Sequence, residues 1–231
     1  MKPFNVLRVG LLLLVFLVPV ERASGGSIIN GSFAQVTGDP SNPFVGWTTK
    51  YGDPPTAGGG FAVFTESANS AFVELEQTFQ ISIGVTAIAF DFKIASLAAP
   101  SPNSVPDSFQ ATLYDGSNQP YPLPADPLLP AFFSADIGGG QFYNSSYVSV
   151  AALPGNWFHV TLFNLSGLSR PQDVTLEFLL NGSDDGQTSV VDLTNVEALV
   201  STVPEPTTFV MAVTGLFCVA GCGWLRVKKI A

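Results

Sequence analysis

The chain has 231 residues and a formal net charge of −9, with 18 acidic and nine basic side chains. Between Gly26 and Val203 only three basic residues face 16 acidic ones, a balance of −13. Such a surface repels phosphate groups and anionic lipids, which argues against nucleic-acid binding. Both cysteines, Cys218 and Cys222, lie near the C-terminus. We therefore expect no disulfide in the middle of the chain, which is long enough to bury a core without one.

Residues 1–25 have the features of a secretory signal peptide. Lys2 and Arg8 make the start basic, and the apolar run Val9–Val18 is 10 residues long, too short to cross a bilayer comfortably. Residues 23–25 are small and offer cleavage sites. An uncleaved N-terminal anchor is the alternative interpretation.

The C-terminal segment predicts a single membrane span. Pro206–Leu225 comprises 20 residues without a charge. As a helix of about 30 Å, this segment matches the hydrocarbon core of a bilayer. Arg226, Lys228 and Lys229 follow at once, and basic flanks stay on the cytoplasmic side, which places the acidic domain outside the cytosol. We expect a transmembrane helix over 207–225 with the C-terminus in the cytoplasm.

The sequence Val203-Pro204-Glu205-Pro206, followed by this span and its basic stop, resembles the PEP-CTERM sorting signal of bacteria. The resemblance covers Val203–Ile230. It implies export, temporary membrane anchoring and recognition of Pro204, Glu205 and Pro206 by an exosortase, a membrane-embedded cysteine transpeptidase. Such an enzyme passes its substrate to the cell surface or to an extracellular polysaccharide matrix. The alternative is an ordinary single-span anchor preceded by a proline linker.

Short alternating apolar runs dominate residues 26–202 and predict an extracytoplasmic β-domain. Polar turns begin at Asp115-Gly116 and Asn181-Gly182, and prolines mark loops at 98–107 and 119–130. About nine to eleven strands with such turns favour an all-β fold, an antiparallel β-sandwich of the jelly-roll kind. The predicted strands are Phe72–Ile81, Thr86–Ile94, Ser108–Tyr114, Ser146–Ala152, Phe158–Leu165, Val174–Leu180 and Ser189–Val200.

The two ends of this domain resemble galactose-binding-like and carbohydrate-binding jelly rolls. The motifs are Ile28–Phe33 with Gly46-Trp47 at the start, and Val174–Phe178 with Val191–Val196 at the end. The resemblance implies a sandwich fold and carbohydrate binding. The family often has acids, which hold a structural calcium, where this chain has Ala34 and Thr194. These departures speak against the family's usual calcium site.

We find no catalytic constellation in the sequence and expect no enzyme activity. His159 is the only histidine and has no cysteine partner in the middle of the chain, so a surface or hydrogen-bonded role is favoured. Glu74 and Glu76 share one face of a predicted strand, about 6.6 Å apart along it. A glycosidase can use two such acids, but alternating acids are more typical of a solvent-exposed face.

A degenerate calcium-loop pattern begins at Asn181. Its first, third, fifth and twelfth positions bear side-chain oxygens, and they are Asn181, Ser183, Asp185 and Asp192. Predicted strands rather than helices flank the pattern. We therefore interpret it as a hairpin turn and a weak candidate for calcium, and we predict no other cofactor.

Aromatic side chains offer stacking surfaces for sugar rings. Tyr51 and Tyr121 lie in segments rich in glycine and proline and are the better candidates, with Trp47 as a third. The sequence favours an exported, non-enzymatic structural or adhesive protein of the cell surface or extracellular matrix. A lectin-like glycan-binding module is the main alternative, and a surface hydrolase is a weaker one. The expected partners are an exosortase, the bacterial membrane and polysaccharide.

Overall fold

The structure, a computed structural model, describes residues 27–67, 70, 72–96, 107–122, 130–136, 140–182 and 188–200. The predicted signal peptide, the Pro-Glu-Pro motif and the predicted span at 207–225 lie outside these ranges. No helix within them has the length and hydrophobicity that a membrane crossing requires. Contacts within the chain divide it into two units, Met1–Leu199 and Val200–Ala231. Apart from Val200, the second unit lies outside the described residues.

Eleven β-strands form in the described part of the chain. They are β1 (Thr56–Ala57), β2 (Ala62–Thr65), β3 (Phe72–Ile81), β4 (Val85–Ser96), β5 (Ser108–Tyr114), β6 (Phe133–Asp136), β7 (Gln141–Tyr143), β8 (Val148–Leu153), β9 (Trp157–Phe163), β10 (Gln172–Asn181) and β11 (Val190–Val200). The helical element among these residues is a 3₁₀ turn at Leu165–Gly167. The described part of the chain is therefore all-β, as the alternating pattern predicts.

The strands form two antiparallel sheets. One has six strands in the order β1-β2-β11-β4-β9-β8, and the other has five in the order β3-β10-β5-β6-β7. Because β10 and β11 belong to different sheets, the segment between them crosses from one sheet to the other. Our interpretation of the segment after Asn181 as a hairpin turn is therefore wrong.

The strongest alternating runs fold as predicted. Phe72–Ile81 and Ser108–Tyr114 are strands with the predicted bounds, and the other five predicted strands agree to within two residues at each end. The pattern missed β1, β2, β6 and β7, none of which exceeds four residues. A period of two does not stand out over so short a run.

Aromatic side chains from both sheets form the core between them. Phe90 and Phe92 project inwards from β4, while Phe109 and Phe178 project inwards from β5 and β10. The ring centroids of Phe90 and Phe178 lie 5.0 Å apart, and those of Phe92 and Phe109 lie 5.6 Å apart. Each fully buried ring contributes about 1.5–3 kcal/mol. These contacts hold the two sheets face to face.

The inward direction of these rings decides which side chains face outwards on the five-stranded sheet. Successive side chains along a strand point to opposite faces. On β10 the even-numbered residues from Val174 to Leu180 enter the core, so the odd-numbered residues face outwards. The same alternation in β3 and β5 brings polar side chains together on the outer surface of this sheet.

Candidate functional site

The outer surface of the five-stranded sheet carries a continuous set of polar side chains. Directly opposite residues of antiparallel strands share a face, and the strand register places these side chains in three rows. The first row is Glu74, Leu179, Gln110, Ser134 and Phe142; the second is Glu76, Glu177 and Thr112; the third is Thr78, Thr175 and Tyr114. We call this set the outer polar face.

Several of these polar side chains are almost completely buried although they point away from the core. Glu74 is 5% exposed, Gln110 7%, Thr112 3% and Ser134 5%. Such groups are ordinarily solvated on a sheet surface, but here neighbouring groups exclude water from them. The solvent-exposed position expected for Glu74 is therefore wrong.

Three carboxylates meet on the outer polar face. Glu76 of β3 lies opposite Glu177 of β10, and Glu74 is the next outward residue of β3. One oxygen from each of the three lies within 4.8 Å of the others. Lys50 Nζ lies 3.3 Å from Glu76 Oε2, and the Tyr114 hydroxyl donates to Glu177 Oε1 at 3.4 Å. One ammonium group therefore faces three acids.

Burial makes these acids hold protons more tightly. Burial, together with the negative charge of Glu177, raises the pKa of Glu74 to about 7, and burial also raises the pKa of Glu177. Burial and the same Glu177 charge raise the pKa of Tyr114 to about 12. Burial alone would lower the pKa of Lys50, but the carboxylates of Glu76, Glu74 and Glu177 together outweigh it and raise that pKa. The negative charge of Glu177 therefore adds to burial in favouring a proton on Glu74.

The segment 48–52 is held along the free edge of β3. Thr48 and Gly52 form β-bridges with Glu76 and Val73. At Gly52 the backbone φ is +75°, and any Cβ would lie 1.7 Å from a carbonyl oxygen of β3. Only glycine fits this position, and the two bridges place the side chain of the intervening lysine beside the carboxylates.

Exposed aromatic rings lie at both margins of the outer polar face. Tyr51, in the edge segment, is 62% exposed, and its ring centroid lies 5.7 Å from Lys50 Nζ. Phe142 of β7 is 58% exposed and ends the first row on the opposite side. With strands about 4.8 Å apart, the five intervals from the edge segment through β3 to β7 separate the two margins by about 24 Å. Sequence analysis did not single out Phe142, because β7 is too short to show its pairing.

Of the three aromatic residues predicted to stack on sugars, Tyr51 is well exposed and the other two are not. Trp47 is 3% exposed, packs in the aromatic core and donates its indole N–H to a backbone carbonyl. Trp47 is therefore wrong as a stacking residue. Tyr121 packs against the core, and its hydroxyl donates to the Asn164 carbonyl at 2.9 Å. The Tyr121 ring thus holds a loop in place.

The predicted calcium pattern is divided between the two sheets. Asn181 ends β10, whereas Asp192 lies in β11 with its Oδ2 3.9 Å from Lys93 Nζ. Burial raises the pKa of Asp192 against the opposing effect of Lys93. Ser183 and Asp185 lie outside the described residues, so calcium binding by this pattern stays a prediction.

A second polar group lies on the six-stranded sheet. Asp91 of β4 lies opposite His159 of β9, with Oδ1 2.6 Å from the histidine Nδ1. Asp91 Oδ2 accepts a hydrogen bond from the Asn195 side-chain amide at 2.8 Å. The carboxylate thereby orients the imidazole and leaves Nε2 as the nitrogen for solvent or a ligand. Sequence analysis identified no partner for His159, because strand pairing alone brings Asp91 to it.

The two ends that carry the galactose-binding-like resemblance meet beside this second group. The Val196 N–H donates to the Gly31 carbonyl at 2.9 Å, and a pocket there is lined by residues of both ends together with the histidine and its aspartate. Thr194, which stands where the family often has an acid, donates its hydroxyl to the Gly60 carbonyl at 2.8 Å. Thr194 therefore makes a loop contact.

Two further acids are buried where β2 ends and β5 begins. Glu66 is 3% exposed and Asp107 0%. Ser189 joins them, since its hydroxyl donates to Asp107 and its backbone N–H donates to Glu66 Oε2 at 3.3 Å. Because β2 and β5 belong to different sheets, we interpret this cluster as a structural tie between the sheets.

Comparisons with known proteins assign this chain to no family. No protein-family model matches it, and no curated protein matches it significantly. Among solved structures it is similar to TmCBM27, a carbohydrate-binding module described for specific mannan recognition. The identity is 10%, the match covers 68% of this chain and 90% of that chain, and the TM-score is 0.33. Similarity at this level does not show that the two chains share a ligand or a function.

Proposed function

We propose that this chain is an exported protein whose β-sandwich binds an uncharged polysaccharide on the outer polar face. The observation that carries the proposal is the pair of exposed rings, Tyr51 and Phe142, at opposite margins of that face. The half-buried carboxylates of Glu76 and Glu177 and the exposed hydroxyl of Thr78 lie between these margins. Sugars combine hydroxyl groups, which need donors and acceptors, with apolar ring faces that pack on aromatic rings.

The size and charge of the face favour a neutral polymer. The two aromatic margins lie about 24 Å apart, which suits an extended chain better than a single sugar. Within the described part of the chain, Glu74, Glu76 and Glu177 outnumber the ammonium group that faces them, that of Lys50. An acidic polysaccharide would meet repulsion at these carboxylates, whereas neutral hydroxyl groups can donate to them.

Sorting and location belong to the same proposal and rest on the sequence. The N-terminal signal exports the chain, the span at 207–225 anchors it, and an exosortase recognises Pro204, Glu205 and Pro206. The sandwich, of the predicted jelly-roll kind, then lies at the cell surface or in the extracellular matrix. A domain that binds matrix polysaccharide there attaches the protein to the matrix. Glycan binding is therefore a physical basis for the adhesive role that the sequence favours.

Affinity electrophoresis and calorimetry of the full-length protein against a panel of neutral and acidic polysaccharides test the binding. We expect saturable binding to a neutral polymer and weakening of about tenfold in Tyr51→Ala, equal to about 1.4 kcal/mol. Leu153→Ala is the matched control, since this half-exposed apolar residue lies on the six-stranded sheet. Equal affinity of the Tyr51 and Leu153 variants, or binding to no polysaccharide, would contradict the proposal.

A further inference from the structure

We propose that Glu74, Glu76 and Glu177 together bind one divalent cation of the calcium type on the outer polar face. The inference concerns the same surface as the proposed function but does not rest on it, because the cation needs no glycan. It also differs from the calcium pattern at 181–192, whose residues lie elsewhere along the chain.

The geometry suits one ion. An oxygen from each of the three glutamates lies within 4.8 Å of the other two. Calcium binds carboxylate oxygens at about 2.3–2.6 Å, so two ligands of one ion lie up to about 5 Å apart. The side chains project from adjacent positions of paired strands, β3 and β10. The backbone therefore fixes their spacing before any ion arrives.

A buried oxygen without a partner supplies the second observation. Glu74 is 5% exposed, and its Oε1 is buried without a hydrogen-bond partner among the residues that the structure describes. Leaving a buried carboxylate oxygen unpaired costs stability, because the group has given up water and gained nothing in return. A cation held between the three carboxylates would satisfy this oxygen.

The charge of the site also favours a bound divalent cation. Lys50 reaches Glu76 at 3.3 Å, which shows that the cluster attracts a cation, but one ammonium group does not balance three carboxylates. The Lys50 side chain is 46% exposed, and its long stem allows it to turn towards solvent. A divalent ion can therefore enter without displacing any element of the fold.

Calorimetric titration of the full-length protein with calcium chloride, after treatment with EDTA, tests the inference. We expect one saturable site, weakened at least tenfold in Glu177→Gln, an isosteric change that removes one charged ligand. Glu74→Gln removes a second ligand and should also weaken calcium binding. Glu197→Gln is the control, since this exposed acid lies in β11 of the other sheet. Thermal unfolding of every variant in EDTA verifies that it is folded.

Three results would overturn the inference. No calcium binding at millimolar concentration excludes the site. Binding that survives Glu177→Gln but disappears in Asp185→Asn places the ion at 181–192 instead. Weak, unsaturable binding reduced equally by Glu177→Gln and Glu197→Gln indicates a diffuse counterion cloud. If the native protein binds calcium at one saturable site but binds no polysaccharide, the proposed function fails and this inference stands.

Discussion

Glu74 has a raised pKa on the outer polar face. Its burial and the charge of Glu177 raise its pKa to about 7. Glu76 and Tyr114 lie near it on the same face, and Lys50 acts in the opposite sense by favouring the charged carboxylate. The folded state therefore retains a proton that the unfolded state releases at a lower pH.

The sign of the pH dependence follows from this proton. The pKa of Glu74 is raised from 4.5 to about 7 on folding, so the folded protein binds more protons than the unfolded protein between these values. The free energy of unfolding should then decrease as pH rises through that window. Urea denaturation in EDTA at a series of pH values should show this slope in the native protein and a shallower one in Glu74→Gln. An unchanged slope in the variant would show that Glu74 does not carry the proton.

Phe178 packs against three other aromatic rings in the core. It is 0% exposed and its ring contacts those of Trp47, Phe90 and Phe109. Phe178→Ala should lower the free energy of unfolding by about 3–5 kcal/mol, since truncation leaves a cavity between the sheets. Chemical denaturation measures the loss. Phe142→Ala, which truncates a 58% exposed ring, is the matched control and should cost much less.

At the scale of elements, the edge segment 48–52 positions the aromatic margin beside β3. Gly52→Ala would set a Cβ 1.7 Å from a carbonyl oxygen of β3 at a φ of +75°. Gly59 has a φ of +77°, and a Cβ there would meet no atom of the described residues within 4 Å. Both variants carry the same left-handed strain, but Gly52→Ala should also move the segment away from β3. We expect polysaccharide affinity to fall in Gly52→Ala and to stay near the native value in Gly59→Ala. Calorimetric titration of both variants decides this, and equal affinities would contradict the account.

The length of each strand decides how well the sequence predicts it. Long alternating runs such as Phe72–Ile81 fix their own strand bounds, because a period of two over ten residues is unambiguous. Strands of two to four residues carry too few alternations, so β1, β2, β6 and β7 were missed. The order of strands in each sheet depends on contacts between distant segments, which a local pattern does not encode.

The candidate site was harder to predict for the same physical reason. Glu74 and Glu76 could be placed on one face from their spacing, but Glu177 joins them only through the pairing of β3 with β10. Asp91 likewise reaches His159 only through the pairing of β4 with β9. Trp47 was misjudged because its neighbours in sequence, glycine and threonine, do not reveal the core residues that cover it.

In the whole chain, the proposed glycan-binding domain precedes the Pro-Glu-Pro motif that resembles a sorting signal. If an exosortase reads Pro204-Glu205-Pro206, Glu205→Gln removes the charge from the motif while changing little else. The variant should accumulate in the membrane fraction, while the native protein appears at the surface or in the matrix. Fractionation with immunoblotting measures this. Pro206→Ala should behave similarly, and unchanged release of the Glu205 variant would contradict the sorting hypothesis.

The central claim is that polysaccharide lies across the outer polar face, and hydroxyl-radical footprinting tests it most directly. The full-length protein is oxidised with and without the neutral polysaccharide that it binds, and the labelled side chains are identified by mass spectrometry. The account predicts that Tyr51 and Phe142, both more than half exposed in the free protein, become protected together, while Ile83 and Leu153 are oxidised as before. Protection of Leu153 or His159 on the six-stranded sheet, with Tyr51 and Phe142 unchanged, would contradict it.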